Sequence, residues 1–145
     1  MIAAGASAMT GTRLRGGFTL IELLVAMAVL GIVLAVAIPN YRQWVLASGR
    51  AEAKAVLMDG AQTLERCFTR FSRYNDGSCA LTGGSTLDSE SGKYQMTVTA
   101  VSPTAFTLTA VPKGGQTEDT DCANFTLTSA GVRDVTGPAG KDKCW

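Results

Sequence analysis

Residues 18 to 38 form the feature that most constrains this chain, because they are apolar except for a single charge, Glu22. A helix over this range is roughly 31 Å long, about the thickness of the hydrocarbon core of a bilayer. Arg13 and Arg15 lie just before it. The positive-inside rule therefore places the N-terminus in the cytoplasm and the remaining chain across the membrane. The sequence predicts one membrane helix that carries a domain outside the membrane.

The segments before the apolar run are arranged differently from an ordinary secretory signal. Such a signal has a short apolar stretch followed by a small-residue cleavage site. Here a short leader ends at Gly16-Gly17 and the apolar run comes afterwards. Met9 is an alternative start to Met1 and gives a compact, basic leader. Cleavage by the ordinary signal peptidase is therefore not expected.

Glu22 is the most informative single residue of the apolar run. A carboxylate in hydrocarbon costs a few kcal/mol unless it is paired or reaches water. One interpretation is that Glu22 lies only one turn inside the helix and reaches the cytoplasmic interface. The other is that it neutralises a free amine at Phe18, which would exist only if the chain were cut after Gly17.

The residues from Gly17 onward are Gly17-Phe18-Thr19-Leu20-Ile21-Glu22. They follow a specific order, in which a glycine is followed by an aromatic residue, a hydroxyl residue, two aliphatic residues and a glutamate. With the apolar run and Pro39 that follow, this segment resembles the N-terminus of type IV pilins and the related pseudopilins, which carry a class III prepilin signal peptide. The resemblance covers residues 16–42. It implies a leader over 1–17, a transmembrane and filament-core helix over 18–40, and a globular pilin head over 41–145.

The resemblance also implies roles for individual residues. Prepilin peptidase would cut between Gly17 and Phe18, and the new amine of Phe18 would be N-methylated. Glu22 would neutralise the Phe18 amine of a neighbouring subunit during assembly. Pro39 would mark the point where the helix bends or loosens, and its missing amide donor weakens the helical ladder there.

The head is predicted to be an α+β domain with the pilin fold. Apolar residues recur at helical spacing and predict an amphipathic helix to about residue 73, with the stripe Ala53, Leu57, Ala61, Leu64, Phe68 and Phe71. Residues 74–92 are expected to form a loop. From residue 93 the apolar residues alternate with a period of two, which predicts three or four antiparallel strands over 94–100, 106–110, 123–128 and 132–135. The helix stripe would pack on the apolar face of that sheet.

Four cysteines lie beyond the apolar run, namely Cys67, Cys79, Cys122 and Cys144. An even number outside the membrane favours two disulfides, for which three connectivities exist. The expected pairs are Cys67–Cys79 and Cys122–Cys144, and the resemblance supports the second, because many pilins close a C-terminal loop with a disulfide. A zinc site of four thiolates is the alternative, although zinc-binding cysteines usually occur in closely spaced pairs.

The chemistry of the remaining residues does not favour an enzyme. The sequence has no histidine, which excludes catalytic triads with a histidine base and every histidine-ligated metal site. No cofactor or metal is therefore expected. Glu118, Asp119 and Asp121 form an acidic cluster. It is interpreted as a solvated loop, with a calcium site of the kind found in major pseudopilins as the alternative.

The function that the resemblance implies is that of a structural subunit of a type IV pilus, most like a minor pilin of the PilE type that helps to initiate assembly. Its partners would be other pilin subunits, prepilin peptidase and the assembly platform of the inner membrane. The head would be periplasmic before assembly and extracellular in the filament, which would serve motility, adhesion or DNA uptake. The alternatives are a type II secretion pseudopilin, a major pilin, or a DNA-binding minor pilin for natural transformation.

A DNA receptor would need a basic strip on the head. The candidate residues are Lys93, Lys113, Arg133, Lys141 and Lys143. Acidic and basic side chains nearly balance over the whole chain, which has a formal net charge of +1. Charge alone therefore does not favour nucleic acid as a partner.

Overall fold

The computed structural model describes residues 17–145, and the expected leader up to residue 16 lies outside the described residues. A long helix, α1, is followed by five strands and a second, short helix. In chain order these are α1 Leu20–Phe71, β1 Thr86–Asp88, β2 Tyr94–Val101, β3 Phe106–Pro112, a 3-10 helix Gly114–Glu118, β4 Phe125–Thr128, β5 Arg133–Val135 and α2 Lys141–Cys144. Contacts divide the chain after Pro39, and Asn40–Trp145 forms the larger unit.

Both ends of α1 have an identifiable cause. The Thr19 hydroxyl accepts a hydrogen bond from the backbone N–H of Glu22 at 3.3 Å, which satisfies one of the free donors of the first turn. At the other end Ser72 adopts a positive φ of 56°. A non-glycine residue rarely adopts this conformation inside a helix, and α1 ends at the preceding residue. The helix is thus slightly shorter at each end than the predicted range of 18 to about 73.

The second half of α1 buries one face against the sheet. Ala53, Leu57 and Leu64 of the predicted stripe are fully buried. Phe71 of that stripe is 37% exposed, because the helix ends there. The buried face also includes four residues outside that stripe, namely Gly49, Val56, Gly60 and Cys67.

The five strands form an antiparallel sheet in which each strand pairs with the next along the chain, in the order β1-β2-β3-β4-β5. The face of the sheet that contributes to the core carries alternate side chains of the three central strands, namely Tyr94, Met96, Val98, Phe106, Leu108, Ala110, Phe125 and Leu127. A register shift between Val98 and Ala100 interrupts the alternation in β2. Ala100, which the period of two placed with Val98, is therefore exposed.

The strand β1 lies within the range expected to be a loop, and it makes the sheet five-stranded where three or four strands were predicted. It has only three residues, and Leu87 pairs with Met96 of β2. A strand this short shows too little alternation to be recognised in the sequence. The fold is otherwise the predicted one, a long helix whose second half packs on an antiparallel sheet.

Candidate functional site

The N-terminal part of α1 has the surface of a membrane or bundle helix. Every residue from 17 to 44 is exposed in the structure, and the side chain of Phe18 is 83% exposed. Within residues 17–145, α1 is the one helix long and apolar enough to cross a membrane. Because this apolar surface has no cover within the described chain, it needs lipid or other helices around it.

Glu22 is the only charged side chain on this surface between residues 18 and 38, and it lies four residues after Phe18. It occupies the first turn of α1, where its backbone N–H donates a hydrogen bond to the Thr19 hydroxyl. A carboxylate in the first turn interacts favourably with the helix dipole. The carboxylate itself remains exposed, so it is available to a positive charge from outside the chain.

Pro39 lies inside α1, and the helix continues on both sides of it. A proline in a helix interior removes one backbone hydrogen bond and crowds the carbonyl one turn earlier, here that of Ala35. The division of the chain into two units falls directly after Pro39. This residue therefore coincides with the place where the exposed apolar segment gives way to the head.

The four cysteines form two disulfides in the structure, Cys67–Cys79 and Cys122–Cys144, with Cα–Cα distances of 5.5 and 5.7 Å. The first joins the end of α1 to the following loop, and the second joins α2 to the segment before β4. Cys122 and Cys144 are buried in the core. With both pairs bonded, the thiolates are not available as zinc ligands.

Two members of the acidic cluster, Glu118 and Asp119, pair with arginines of α1. Arg50 donates two hydrogen bonds to Asp119, from Nε to Oδ2 at 2.7 Å and from Nη2 to Oδ1 at 2.8 Å. Asp119 is only 2% exposed, so its interpretation as part of a solvated loop is wrong. Glu118 is exposed and pairs with Arg42 at 3.3 Å. Among residues 17–145 no group of three or more histidine, cysteine or acidic side chains is placed to hold a metal ion.

The pKa of Arg50 is raised from its ordinary value. The hydrogen bonds to Asp119 are the largest cause, and they outweigh the partial burial of the guanidinium, which lowers the pKa. The protonated form of Arg50 is therefore the form that the head stabilises. This ion pair fixes the 3-10 helix region against the middle of α1.

Gln116 was not identified from the sequence, yet it is buried beside the same ion pair. Its amide Nε2 donates to the backbone carbonyl of Leu46 at 3.0 Å and lies 3.4 Å from Tyr94 Oη. The Gln116 amide packs directly against Gly49, so any side chain at position 49 would collide with it. The loop that carries Gln116 therefore lies close to α1 at Gly49, and there is no room for a side chain at that position.

A second polar contact connects α1 to the turn between β1 and β2. Glu52 accepts hydrogen bonds from Ser89 Oγ at 2.9 Å and Ser91 Oγ at 2.7 Å, and Lys93 Nζ lies 3.2 Å from its carboxylate. Burial raises the pKa of Glu52, but the bonds from Ser91, Ser89 and Lys93 together lower it below its ordinary value. The ionised carboxylate is thus the form that holds this turn.

The predicted basic candidates do not form one strip. Lys93 and Lys113 pair with Glu52 and Asp88, at 3.2 Å in both cases. Arg133 and Lys141 instead line a groove of about 480 Å³ together with Trp145, and the Arg133 guanidinium carbon lies 5.4 Å from the centroid of the indole ring. The structure therefore separates four of the candidates into an ion-paired group and a group beside an aromatic side chain, and the fifth, Lys143, is exposed on α2.

A membrane-length apolar helix that continues into the spine of an α+β head with a disulfide-closed C-terminal segment is the arrangement expected for a pilin. Two family models match the chain. The one described as "Type IV minor pilin ComP, DNA uptake sequence receptor" matches residues 39–126. The one described as "Prokaryotic N-terminal methylation motif" matches residues 12–38. The first match covers more than half of the chain, and the chain therefore belongs to this family of type IV minor pilins.

Individual relatives are also pilins. The type IV major pilin protein PilA of Myxococcus xanthus is 40% identical over 60 residues, which are 41% of this chain and 27% of that protein. The chain thus spans about a quarter of the length of that curated relative. A non-core minor pilin, PilV, of Neisseria meningitidis has a similar structure (24% identity, 62% of this chain, 88% of that chain, TM-score 0.46). A type IV pilin of Shewanella oneidensis also has a similar structure (28% identity, 69% of this chain, 97% of that chain, TM-score 0.44).

The family and the described structure together define the protein's role at a coarse level. By its family the chain is a type IV minor pilin, and its N-terminal helix is long and apolar enough to cross a membrane. The pseudopilin and major-pilin alternatives are not favoured by the family match. Members of this family are structural subunits, not enzymes.

Proposed function

We propose that this pilin is a low-copy subunit that helps to start filament assembly. Its leader, residues 1–17, is removed by prepilin peptidase between Gly17 and Phe18, and Phe18 is then N-methylated. Residues 18–40 hold the subunit in the inner membrane while the head, residues 41–145, lies in the periplasm. The assembly platform then moves the subunit into the extracellular filament.

The low-copy role follows the description of the matching family as minor pilins, and the observation that carries assembly into the filament is the isolated carboxylate of Glu22 on an exposed apolar helix. In an apolar bundle without water, such a carboxylate costs a few kcal/mol unless a positive charge lies beside it. The amine of a processed Phe18 on a neighbouring subunit has the right charge. Small residues on the same segment allow helices to approach closely, namely Ala26, Ala28, Gly31, Ala35 and Ala37.

Pro39 has a separate role in this proposal. Since its nitrogen cannot donate to the carbonyl of Ala35, α1 is weakest at this point and can bend or unwind when the subunit leaves the membrane. The position of Pro39 at the end of the exposed apolar segment supports this role. The head then moves relative to the filament core without any change in its own packing.

A glutamate substitution tests the assembly role. We expect the Glu22→Gln variant to be processed and retained in the membrane. Its amount in filaments sheared from the cells should fall at least about tenfold, because the amide cannot neutralise an amine. Glu90→Gln is the matched control, since Glu90 is exposed on the head. Normal recovery of Glu22→Gln in sheared filaments would contradict the proposal.

DNA binding is a second candidate function, which the description of the matching family favours. The surface that we propose for it is the groove with Arg133, Lys141 and Trp145, which has one lining carboxylate, that of Asp142. Arginine and lysine neutralise phosphates, and an indole ring stacks on bases, so this combination suits a nucleic acid chain. Among residues 17–145, neither Arg133 nor Lys141 has a carboxylate within ion-pair distance.

Fluorescence anisotropy of labelled single-stranded DNA with the detergent-solubilised full chain tests this candidate. We expect binding that weakens as salt rises and that falls about tenfold in Arg133→Gln/Lys141→Gln. Arg42→Gln/Lys113→Gln removes the same charge from a different part of the head and is the matched control. Equal losses in the two double variants would show non-specific attraction and would contradict a site at the groove.

A further inference from the structure

We propose that a cavity beside Tyr41 binds the headgroup of an anionic phospholipid in the membrane that holds the N-terminal helix. This cavity, called the headgroup cavity below, has a volume of about 430 Å³. It lies entirely within the larger unit of the chain and opens between α1 and the end of the sheet. Its volume is in the range of small-molecule sites.

The headgroup cavity has two walls of different chemistry. Tyr41, Val45 and Leu46 of α1 give it a wall that is apolar except for Arg42 on the same helix. The opposite wall comes from the turn before β2 and the 3-10 helix after β3, where the Lys113 N–H donates to the carbonyl of Lys93 at 2.8 Å and holds the two backbone segments side by side. An apolar wall facing a cationic wall matches a phospholipid, which joins a phosphate to acyl chains.

The charge of the lining favours an anion. Arg42, Lys93 and Lys113 line the cavity against a single lining carboxylate, Glu118. Arg42 and Lys113 make only exposed ion pairs, with side-chain exposures of 69% and 46%. Exposed pairs of this kind contribute about 0–1 kcal/mol, so their cations remain able to contact a phosphate.

The position of the cavity along the chain selects a membrane lipid as the source of that phosphate. Ile38 ends the apolar run, and Tyr41 follows after about 4.5 Å of helical rise. Tyr41 and Trp44 are both 66% exposed, and their ring centroids lie 6.1 Å apart. Tyrosine and tryptophan side chains prefer the level of the lipid headgroups. Basic residues at that level attract anionic lipids.

The experiment uses the full chain reconstituted in vesicles, with Trp145→Phe as background so that Trp44 is the only tryptophan. Trp44 fluorescence is measured with acyl-brominated phosphatidylglycerol in phosphatidylcholine, and then with the bromine on the phosphatidylcholine of otherwise identical vesicles. We expect the brominated anionic lipid to quench Trp44 about two- to fivefold more per lipid molecule than the brominated neutral lipid. This preference reports enrichment of anionic lipid beside the headgroup cavity.

Charge variants locate the preference on the head. In Arg42→Gln/Lys113→Gln the preference should fall by more than half, while Lys141→Gln/Lys143→Gln should keep it. Unchanged urea unfolding midpoints show that both variants are folded. Equal quenching by the two lipids, or no quenching of Trp44 at all, would overturn the proposal. Loss of the preference on addition of inorganic phosphate would also overturn it, because the site would then bind a soluble anion.

Discussion

Arg50 of α1 holds Asp119 through two hydrogen bonds of 2.7 and 2.8 Å, although the two residues are 69 positions apart in the sequence. Asp119 is almost completely buried, and Gln116 and the backbone N–H of Cys122 also donate to its carboxylate at 3.4 Å. A buried carboxylate of this kind is stable only with its partner in place. The pair therefore links the spine helix to the loop that leads into the C-terminal disulfide.

Removal of Asp119 is expected to destabilise the head strongly. Asp119→Ala leaves Arg50 without its partner, and we expect a loss of about 3–5 kcal/mol in the free energy of unfolding. Urea unfolding of the detergent-solubilised chain measures it. Glu118→Ala is the control, since its pair with Arg42 is exposed and should contribute about 0–1 kcal/mol. Similar losses in the two variants would mean that the Arg50 pair has no special role.

A methyl group at Gly49 is expected to destabilise the protein despite its better helix propensity. Alanine gains about 1 kcal/mol over glycine in a helix interior. At Gly49, however, the added carbon would displace the Gln116 side chain from its bonds to Leu46 and Tyr94. At Gly60 the added carbon meets mainly the flexible end of Met96.

We therefore expect Gly49→Ala to lower the thermal unfolding midpoint clearly more than Gly60→Ala does. A higher midpoint for Gly49→Ala than for the natural sequence would contradict the close approach of Gln116 to α1. Circular dichroism of both variants shows whether the helix itself is retained.

The C-terminal disulfide is expected to contribute more than the first disulfide. The sequence separation is 22 residues for Cys122–Cys144 and 12 residues for Cys67–Cys79. Restriction of the unfolded chain by a loop of either length stabilises the folded state by about 3 kcal/mol. Loss of Cys122–Cys144 also releases α2 and the contact of Trp145 with Phe125, whose ring centroids lie 5.7 Å apart. Unfolding of Cys122→Ala/Cys144→Ala and Cys67→Ala/Cys79→Ala should show the larger loss in the first. The reverse order would contradict this account of the C-terminal segment.

Acid is expected to weaken the contact between Glu52 and the turn that carries Ser89 and Ser91. The pKa of Glu52 is lower in the folded head than its ordinary value of 4.5, so its stabilisation is present above pH 4.5 and is lost as the pH falls through the lower folded value. In Glu52→Gln this part of the pH dependence should disappear. The free energy of unfolding, measured between about pH 6 and pH 3, should therefore fall less steeply in the variant, and parallel curves would contradict the assignment.

The sequence predicted the regular part of the head because that part follows local patterns. The stripe of α1 around Leu57 and the alternation around Met96 both come from repeated burial of one face. Strand β1 was missed because its three residues show no period. Exposure of Ala100 was missed because a register shift in β2 cannot be read from alternation alone.

The polar contacts of the head could not be predicted for a different reason. Asp119 looks like a loop residue in the sequence, and only the tertiary fold brings it to Arg50. Gln116 carries no local signal at all, since its role depends on the absence of a side chain at Gly49. The N-terminal motif, by contrast, is contiguous in the chain. Because its residues from Gly17 to Glu22 are neighbours in the sequence, they indicate a pilin without any knowledge of the tertiary contacts.

Mass spectrometry of filaments sheared from the native cells, without reduction, tests the central claim most directly. The account predicts a peptide that begins at N-methylated Phe18, and Cys122 joined to Cys144. It predicts an amount well below that of the main pilus subunit. Absence of the processed chain from sheared filaments, or a chain that still carries residues before Phe18, would contradict its role as a minor pilin of the filament.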